Sequence, residues 1–202
     1  MDAFTSLKGI AAPMLAPNID TDIIMPKQFL KRIDRAGLDE GTFFSQRLHT
    51  DGTLNPRFIL NQPGWEGASV LVVGSNFGCG SSREYAVWGM QQLGLKALIG
   101  TSFAGIFDDN CQRNGVLVVK LSEEEHAKVA EMVKSADTNE LSIDLINQEI
   151  TLANGDVIHF KIDPLRKQSL IEGLDEIGQT LKLEDKISAF EQKHLQASPW
   201  LA

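Results

Sequence analysis

Three short apolar segments, separated by stretches long enough for helices, constrain the fold of this chain most strongly. Residues 69–74, 96–100 and 116–121 are rich in aliphatic and β-branched side chains, which is typical of buried strands. Residues 81–93 and 103–114 are predicted helices between them, and Gly115 stands where a helix commonly ends. Strands that alternate with helices predict parallel β-α-β units and an α/β fold.

The remaining segments add a strand before this core and a different pattern after it. Residues 8–15 are a predicted strand, and residues 122–134 a predicted helix that opens with a Ser122–Glu125 capping box. Residues 141–146, 149–153 and 157–162 alternate like half-exposed strands, with a hairpin signal at Asn154–Gly155. Residues 165–172 and 183–194 are predicted helices. We therefore expect one domain over residues 1–202, with a core of about 8–163 and a helical tail of about 164–202.

Charge and cysteine content exclude several classes of protein. The net charge of −8 argues against nucleic acid or an anionic membrane as a partner, because both favour basic surfaces. No apolar run approaches the roughly 20 residues of a membrane span, and the first residues do not resemble a signal peptide. Cys79 and Cys111 are too few for a four-cysteine metal site, so we expect no metal on this chain. Two unpaired thiols favour the cytoplasm.

The segment NFGCGSSRE, residues 76–84, is the strongest candidate for a ligand-binding site. It lies between a predicted buried strand and a predicted helix. Ligands in open α/β sheets bind at the carboxyl ends of such strands. Gly78 and Gly80 allow close approach of backbone amides, and the helix N-terminus favours anions. Ser81 and its neighbours add hydroxyls and the bidentate guanidinium of Arg83, a combination suited to a small carboxylate or phosphate.

Two other interpretations of this segment compete with an anion site. Ser81 and Glu84 have the spacing of a capping box, so Ser81 could act simply as an N-cap. That role is compatible with ligand binding, since the same geometry directs the hydroxyl towards a ligand. A dinucleotide site is disfavoured, because the glycines do not fit G-x-G-x-x-G and no acidic residue ends the second strand.

Four motifs in order resemble the swivelling domain of the aconitase superfamily, in the form found in the small subunits of isopropylmalate isomerases. They are NIDTD at residues 18–22, GCGSSRE at 78–84 followed by Ala86, SFAGIFDDN at 102–110 with Gly115, and GLDEIG at 173–178. The resemblance covers nearly the whole chain. It implies a three-layer β/β/α swivelling domain of the aconitase C-terminal type with a C-terminal helical extension.

The resemblance also implies an activity and a partner. Such enzymes interconvert 2-isopropylmalate and 3-isopropylmalate through an unsaturated diacid, a dehydration and rehydration in leucine biosynthesis. Their [4Fe-4S] cluster is held by a large subunit, and this chain would hold none. Ser81 matches the base that removes the proton from carbon, and Arg83 the binder of a substrate carboxylate. The further positions that match substrate-contacting residues of the family are Ser82, Gly80, Asp22 and Thr21.

The loop of residues 28–41 is where the resemblance places substrate selectivity. Phe29, Leu30 and Ile33 could line a pocket for an isopropyl group, or could form one face of a helix packed on the core. Lys31, Arg32 and Arg35 are candidates for a second carboxylate-binding cation, and the sequence does not choose among them. Tyr85 departs from the histidine of aconitases proper.

Two alternative functions stay open on the sequence alone. One is the same chemistry on a different diacid, as in homoaconitase-like or citraconate/2-methylmalate hydratase subunits. The other is a regulatory module that binds anions and has no catalytic role.

Overall fold

The computed structural model describes residues 1–31 and 35–201 of the chain. Its strands are β1 (Ser6–Met14), β2 (Val70–Val73), β3 (Ala97–Gly100), β4 (Leu117–Lys120), β5 (Glu140–Asp144), β6 (Glu149–Thr151) and β7 (Val157–His159). Its α-helices are α1 (Thr21–Ile24), α2 (Phe44–Arg47), α3 (Tyr85–Gln92), α4 (Gly105–Asn114), α5 (Glu123–Met132), α6 (Pro164–Glu172), α7 (Glu176–Leu181) and α8 (Glu184–Ala197). Short 3₁₀ helices cover Lys27–Lys31, Asp39–Gly41, Ile59–Asn61 and Pro199–Leu201.

The strands form one mixed sheet in the order β4-β3-β2-β1-β5-β6-β7. Strands β1 to β4 are parallel, with Ala11 opposite Val70 and Ala97 opposite Leu117. β1 also pairs antiparallel with β5, and the meander continues through β6 and β7. The predicted parallel units and antiparallel meander are both confirmed, with strand ends shifted by a few residues; β1 and β5 begin earlier than predicted, at Ser6 and Glu140.

Two core clusters divide the molecule into layers. One cluster joins apolar side chains of β1–β4 to those of β5–β7, together with Val129 of α5 and Leu170 of α6. The opposite face of β1–β4 packs against α3 and α4 through residues such as Met90 and Phe107. The antiparallel strands therefore cover one face of the parallel strands and helices cover the other. This arrangement confirms the predicted β/β/α fold.

Helix boundaries follow local capping chemistry. Ser122 and Glu125 form the expected capping box of α5, with Ser122 Oγ accepting from Glu125 N at 3.3 Å. α4 ends at Gly115, whose φ of 80° permits the left-handed turn. The prediction that a helix begins at Ser81 is wrong, since α3 begins at Tyr85 and Glu84 precedes it without a capping side chain. The four preceding residues instead follow an irregular path that forms the candidate site.

The C-terminal helices differ in how they pack. α6 places Leu170 in the core, and its first turn is capped by Asp163. α7, which the sequence patterns did not predict, and α8 have no buried residue, and apolar side chains such as Phe190 are exposed. The division into core and tail near residue 164 stays a prediction. Within the described residues, no helix is long and apolar enough to cross a membrane.

Loops after β1, β2 and β3 meet at one edge of the parallel strands. The loop after β2 lies between the other two, with Phe77 N donating to Ser102 O at 3.3 Å and Gly78 N to Ile19 O at 2.8 Å. Gly78 has a φ of 75°, and a β-carbon there would overlap the ring of Phe107. The position therefore requires glycine for both backbone conformation and space.

We predict that Gly78→Ala destabilises the protein more than Gly52→Ala. Gly52 also has positive φ, at 83°, but an added β-carbon there meets nothing within 4 Å. Both variants should lose about 1–3 kcal/mol from strained backbone, and Gly78→Ala a further 1–3 kcal/mol or so from overpacking against Phe107. Urea unfolding of both proteins measures the difference. Equal free energies of unfolding would contradict the close packing at Gly78.

Candidate functional site

The backbone of the loop after β2 is fixed by the segment that follows β1. Thr21 N donates to Cys79 O at 2.9 Å, and Thr21 Oγ1 donates to Ser81 O, also at 2.9 Å. Thr21 is only 1% exposed, so its hydroxyl is held in a defined position. Gly80, with a φ of 89°, passes close to Asp20 and leaves 3.3 Å between an added β-carbon and Asp20 Cβ. Two segments about sixty residues apart in sequence therefore form one structural unit.

Asp22 and Arg83 join the two segments through their side chains. Arg83 Nη1 donates to Asp22 Oδ1 in an ion pair. Asp22 lies in α1, whose first turn is capped by Asp20, with Ile23 N donating to Asp20 Oδ1 at 2.8 Å. The Arg83 side chain is 19% exposed and that of Asp22 is 44% exposed, so the pair lies at the surface of the loop edge with the guanidinium more covered.

Ser81 and Ser82 are both exposed beside this ion pair. The carbonyl of Ser81 accepts from Arg83 N at 2.8 Å as well as from Thr21 Oγ1. No hydrogen bond from the Ser81 hydroxyl to another described residue is present, and Ser81 is exposed. Ser81 is not an N-cap, because α3 begins four residues later. The capping interpretation of Ser81 is therefore wrong.

Glu84, the other half of the expected capping box, has a different partner. Its carboxylate accepts from Asn114 Nδ2 at 2.6 Å, while Asn114 Oδ1 accepts from Trp88 Nε1 at 2.8 Å. These contacts tie the end of α4 to the start of α3. Capping geometry could not reveal them from sequence, because Asn114 lies 30 residues away.

Lys27 is a charged neighbour of the site that was not among the predicted site residues. Its Nζ lies 4.0 Å from Asp22 Oδ2, and its side chain is 75% exposed. The candidates for a second carboxylate-binding cation all lie further along the loop, at Lys31, Arg32 and Arg35. The turn at Met25–Pro26, which brings Lys27 back towards Asp22, was the available signal.

The predicted selectivity residues occupy different environments. Phe29 and Leu30 pack against the core cluster next to α3, and the Phe29 ring lies 4.9 Å from that of Phe44. Lys31 is exposed. The guanidinium of Arg35 stacks 3.9 Å from the centre of the Trp88 ring.

The remaining two selectivity candidates are Arg32 and Ile33, which lie outside the described residues. Contact of any of these side chains with substrate stays a prediction. For Phe29 and Leu30, the core-packed alternative describes their observed position.

The thiols do not form a metal site. Cys79 is partly exposed in the site loop, whereas Cys111 is buried in α4. Across the described ranges, no group of three or more His, Cys, Asp or Glu side chains could hold a metal ion. An iron–sulfur cluster requires about three or four protein ligands, so the residues described here do not fit one.

Comparisons with known proteins agree with this architecture. Residues 1–124 match the family model of the aconitase C-terminal domain, and residues 176–202 match that of the C-terminal domain of 3-isopropylmalate dehydratase small subunits. A model described as LeuD_N matches residues 130–164. The fold and the family match over residues 1–124 thus place the chain in the class of aconitase-type swivelling domains.

Similar proteins narrow the class to one family. The chain is 58% identical to 3-isopropylmalate dehydratase small subunit 1 of Mannheimia succiniciproducens, over 100% of this chain and 99% of the relative. It is 55% identical to small subunit 2 of Salmonella typhimurium, over 100% and 96%. A solved 3-isopropylmalate dehydratase structure from Methanocaldococcus jannaschii superposes with a TM-score of 0.66 at 27% identity, covering 92% of this chain and 99% of that chain. The chain belongs to the family of 3-isopropylmalate dehydratase small subunits.

The two thiols should differ in reactivity. Complete burial, together with the charge of Asp108, raises the pKa of Cys111 well above its usual value, so its thiol stays protonated at neutral pH. We expect iodoacetamide to alkylate Cys79 at least ~10-fold faster than Cys111, because the thiolate is the nucleophile. Peptide mass spectrometry measures both rates. A Cys79→Ser control should take up label only after denaturation, and rapid labelling of Cys111 in the folded protein would contradict its burial.

Proposed function

We propose that this chain, paired with a large subunit, interconverts 2-isopropylmalate and 3-isopropylmalate by removing and re-adding water. The observation that carries the proposal is the convergence of Thr21, Asp22, Ser81 and Arg83 at one sheet edge, in a member of this family. Such a substrate presents two carboxylates and an acidic C–H bond. From this side of the site, the substrate requires a base for the C–H proton and a bidentate cation for one carboxylate.

Ser81 is assigned the role of the base. Its oxygen would take the proton from the substrate carbon in dehydration and return it in hydration. An unassisted serine hydroxyl is a poor base and must be activated by its surroundings. Its exposure gives access to a substrate, and the two hydrogen bonds to its carbonyl hold its backbone still. The cationic Arg83, two residues further on, favours a developing negative charge nearby.

Arg83 is assigned the binding of one substrate carboxylate. A guanidinium offers a fixed pair of donors that match a carboxylate, and Arg83 is partly covered, which strengthens such an interaction. Asp22 orients the guanidinium, and Thr21 fixes the segment that carries Asp22. Ser82 and Gly80 complete the set of residues assigned to substrate binding.

The partner and the location follow from the same proposal. We assign the [4Fe-4S] group of the enzyme to the large subunit, since the described residues contain no group of three or more side chains that could hold a metal. The steps assigned to this chain are proton transfer and carboxylate binding alone. The proposed location is the cytoplasm, where the two free cysteines would stay reduced.

An anaerobic assay of this chain with and without a cluster-loaded large subunit tests the proposal. Formation of the unsaturated diacid from 3-isopropylmalate is followed by absorbance. We expect turnover only in the mixture. Turnover of citraconate or a homologous diacid, with none of 3-isopropylmalate, would instead favour the alternative substrates.

We predict that Ser81→Ala lowers kcat by ~100-fold or more, as loss of a general base typically does. The variant should still associate with the large subunit, measured by size-exclusion chromatography. Ser75→Ala, an exposed serine in the same loop, is the matched control and should keep full activity. Full activity of Ser81→Ala would support a non-catalytic, anion-binding module.

We predict that Arg83→Lys raises KM for 3-isopropylmalate by about tenfold or more, because lysine keeps the charge and loses the bidentate fork. Initial rates in the reconstituted enzyme give KM and kcat separately. Unchanged KM and kcat would refute the role assigned to Arg83.

A further inference from the structure

Asp22 lies between two cations, Arg83 and Lys27. Its Oδ1 accepts from Arg83 Nη1, and its Oδ2 lies 4.0 Å from Lys27 Nζ. The guanidinium that the proposed function assigns to a substrate carboxylate is therefore already paired with a carboxylate of the protein. An incoming diacid must share Arg83 with Asp22 or displace it.

The charges of these three side chains determine which outcome is favoured. Two cations and one carboxylate leave a single positive charge, which matches one substrate carboxylate. Without Lys27, Arg83 and Asp22 neutralise each other, and two carboxylates would compete for one guanidinium. Like charges at such distances repel strongly where water is partly excluded.

Lys27 lies where its ammonium group can pair with the Asp22 carboxylate in place of Arg83. Met25 is fully buried, and Met25 N donates to Thr21 O at 2.8 Å, so the backbone between Asp22 and Lys27 is anchored. The Lys27 side chain itself is 75% exposed, and its long aliphatic stem lets the ammonium group move. A fixed backbone with a mobile charged end suits an exchange of ion-pair partners.

We propose that Lys27 is a positioning residue that draws the Asp22 carboxylate from Arg83 towards itself when a substrate carboxylate binds the Arg83 guanidinium. The inference deepens the proposed function and rests on it. No covalent bond forms or breaks, and no proton moves: Arg83 exchanges Asp22 for substrate, and Asp22 exchanges Arg83 for Lys27. This exchange of ion-pair partners frees the Arg83 guanidinium to bind an anion and leaves Asp22 paired with Lys27.

Steady-state kinetics of the reconstituted two-subunit enzyme test this role. Lys27→Met should raise KM for 3-isopropylmalate by about five- to tenfold with kcat within about twofold, because binding is lost and the chemical step is kept. Lys27→Arg should restore KM, since a cation is again available to Asp22. Lys8→Met removes another exposed, ion-paired lysine at the far end of β1 and should change neither constant.

A double-mutant cycle with Asp22→Asn separates positioning from direct contact. If Lys27 acts through Asp22, then adding Lys27→Met to Asp22→Asn should change KM by less than about twofold. An equal rise in KM in both backgrounds would show direct contact with substrate and overturn the positioning role. An unchanged KM in Lys27→Met alone would overturn it as well.

Two further comparisons separate failure of this inference from failure of the proposed function. If Asp22→Asn reduces turnover below detection, the dissociation constant of malate, a competitive inhibitor, is measured by calorimetry on the two-subunit complex in place of KM. The same fold-changes are expected for this dissociation constant. Normal wild-type turnover with no effect of Lys27→Met would refute this inference alone. Absence of wild-type turnover, with association of the subunits demonstrated, would overturn the proposed function and this inference together.

Discussion

The hydrogen bonds from Thr21 to the loop after β2 are the contacts on which the candidate site depends. They fix the Cys79 and Ser81 carbonyls from a residue some sixty positions earlier in the chain. A loop with glycines at positions 78 and 80 has many accessible conformations, and ordering it is entropically costly. The buried threonine selects one conformation and, in doing so, sets Arg83 against Asp22. The sheet brings the two segments to one edge, and the Thr21 contacts convert that proximity into defined geometry.

The group formed by Arg83, Asp22 and Lys27 has a charge opposite in sign to that of the whole protein. The chain carries a net charge of −8, yet Arg83 and Lys27 outnumber the one carboxylate between them. This excess is confined to the three side chains, because Asp20 and Glu84 carry further carboxylates in the same two segments. The overall charge of the sequence gives no information on this local arrangement.

The fold was predictable where sequence patterns are local. The apolar runs that became β2, β3 and β4, and the Ser122–Glu125 box of α5, each depend on neighbours within a few residues. The start of α3 was mispredicted because contacts from far away in sequence hold this segment: Thr21 bonds the Ser81 backbone carbonyl, and Asn114 bonds the Glu84 carboxylate. For the same reason Lys27 was missed, since its relevance comes from a turn that returns it to Asp22. The Ser81–Arg83 motif was identified from its chemistry, but the ion pair that occupies Arg83 required the structure.

Helix α3 links the site to the loop where selectivity is expected. Its leading segment carries Arg83, while Trp88 on its body stacks on Arg35, and Gln92 Oε1 accepts from Leu38 N at 2.7 Å. The Asn114 contacts to Glu84 and Trp88 hold that same helix against α4. Arg35 thus helps to hold the later part of the loop to α3, and its contact with substrate stays a prediction. Lys27, on the Asp22 side of the site, lies beside the carboxylate that pairs with Arg83, so it acts on Asp22 and leaves the guanidinium of Arg83 to the substrate.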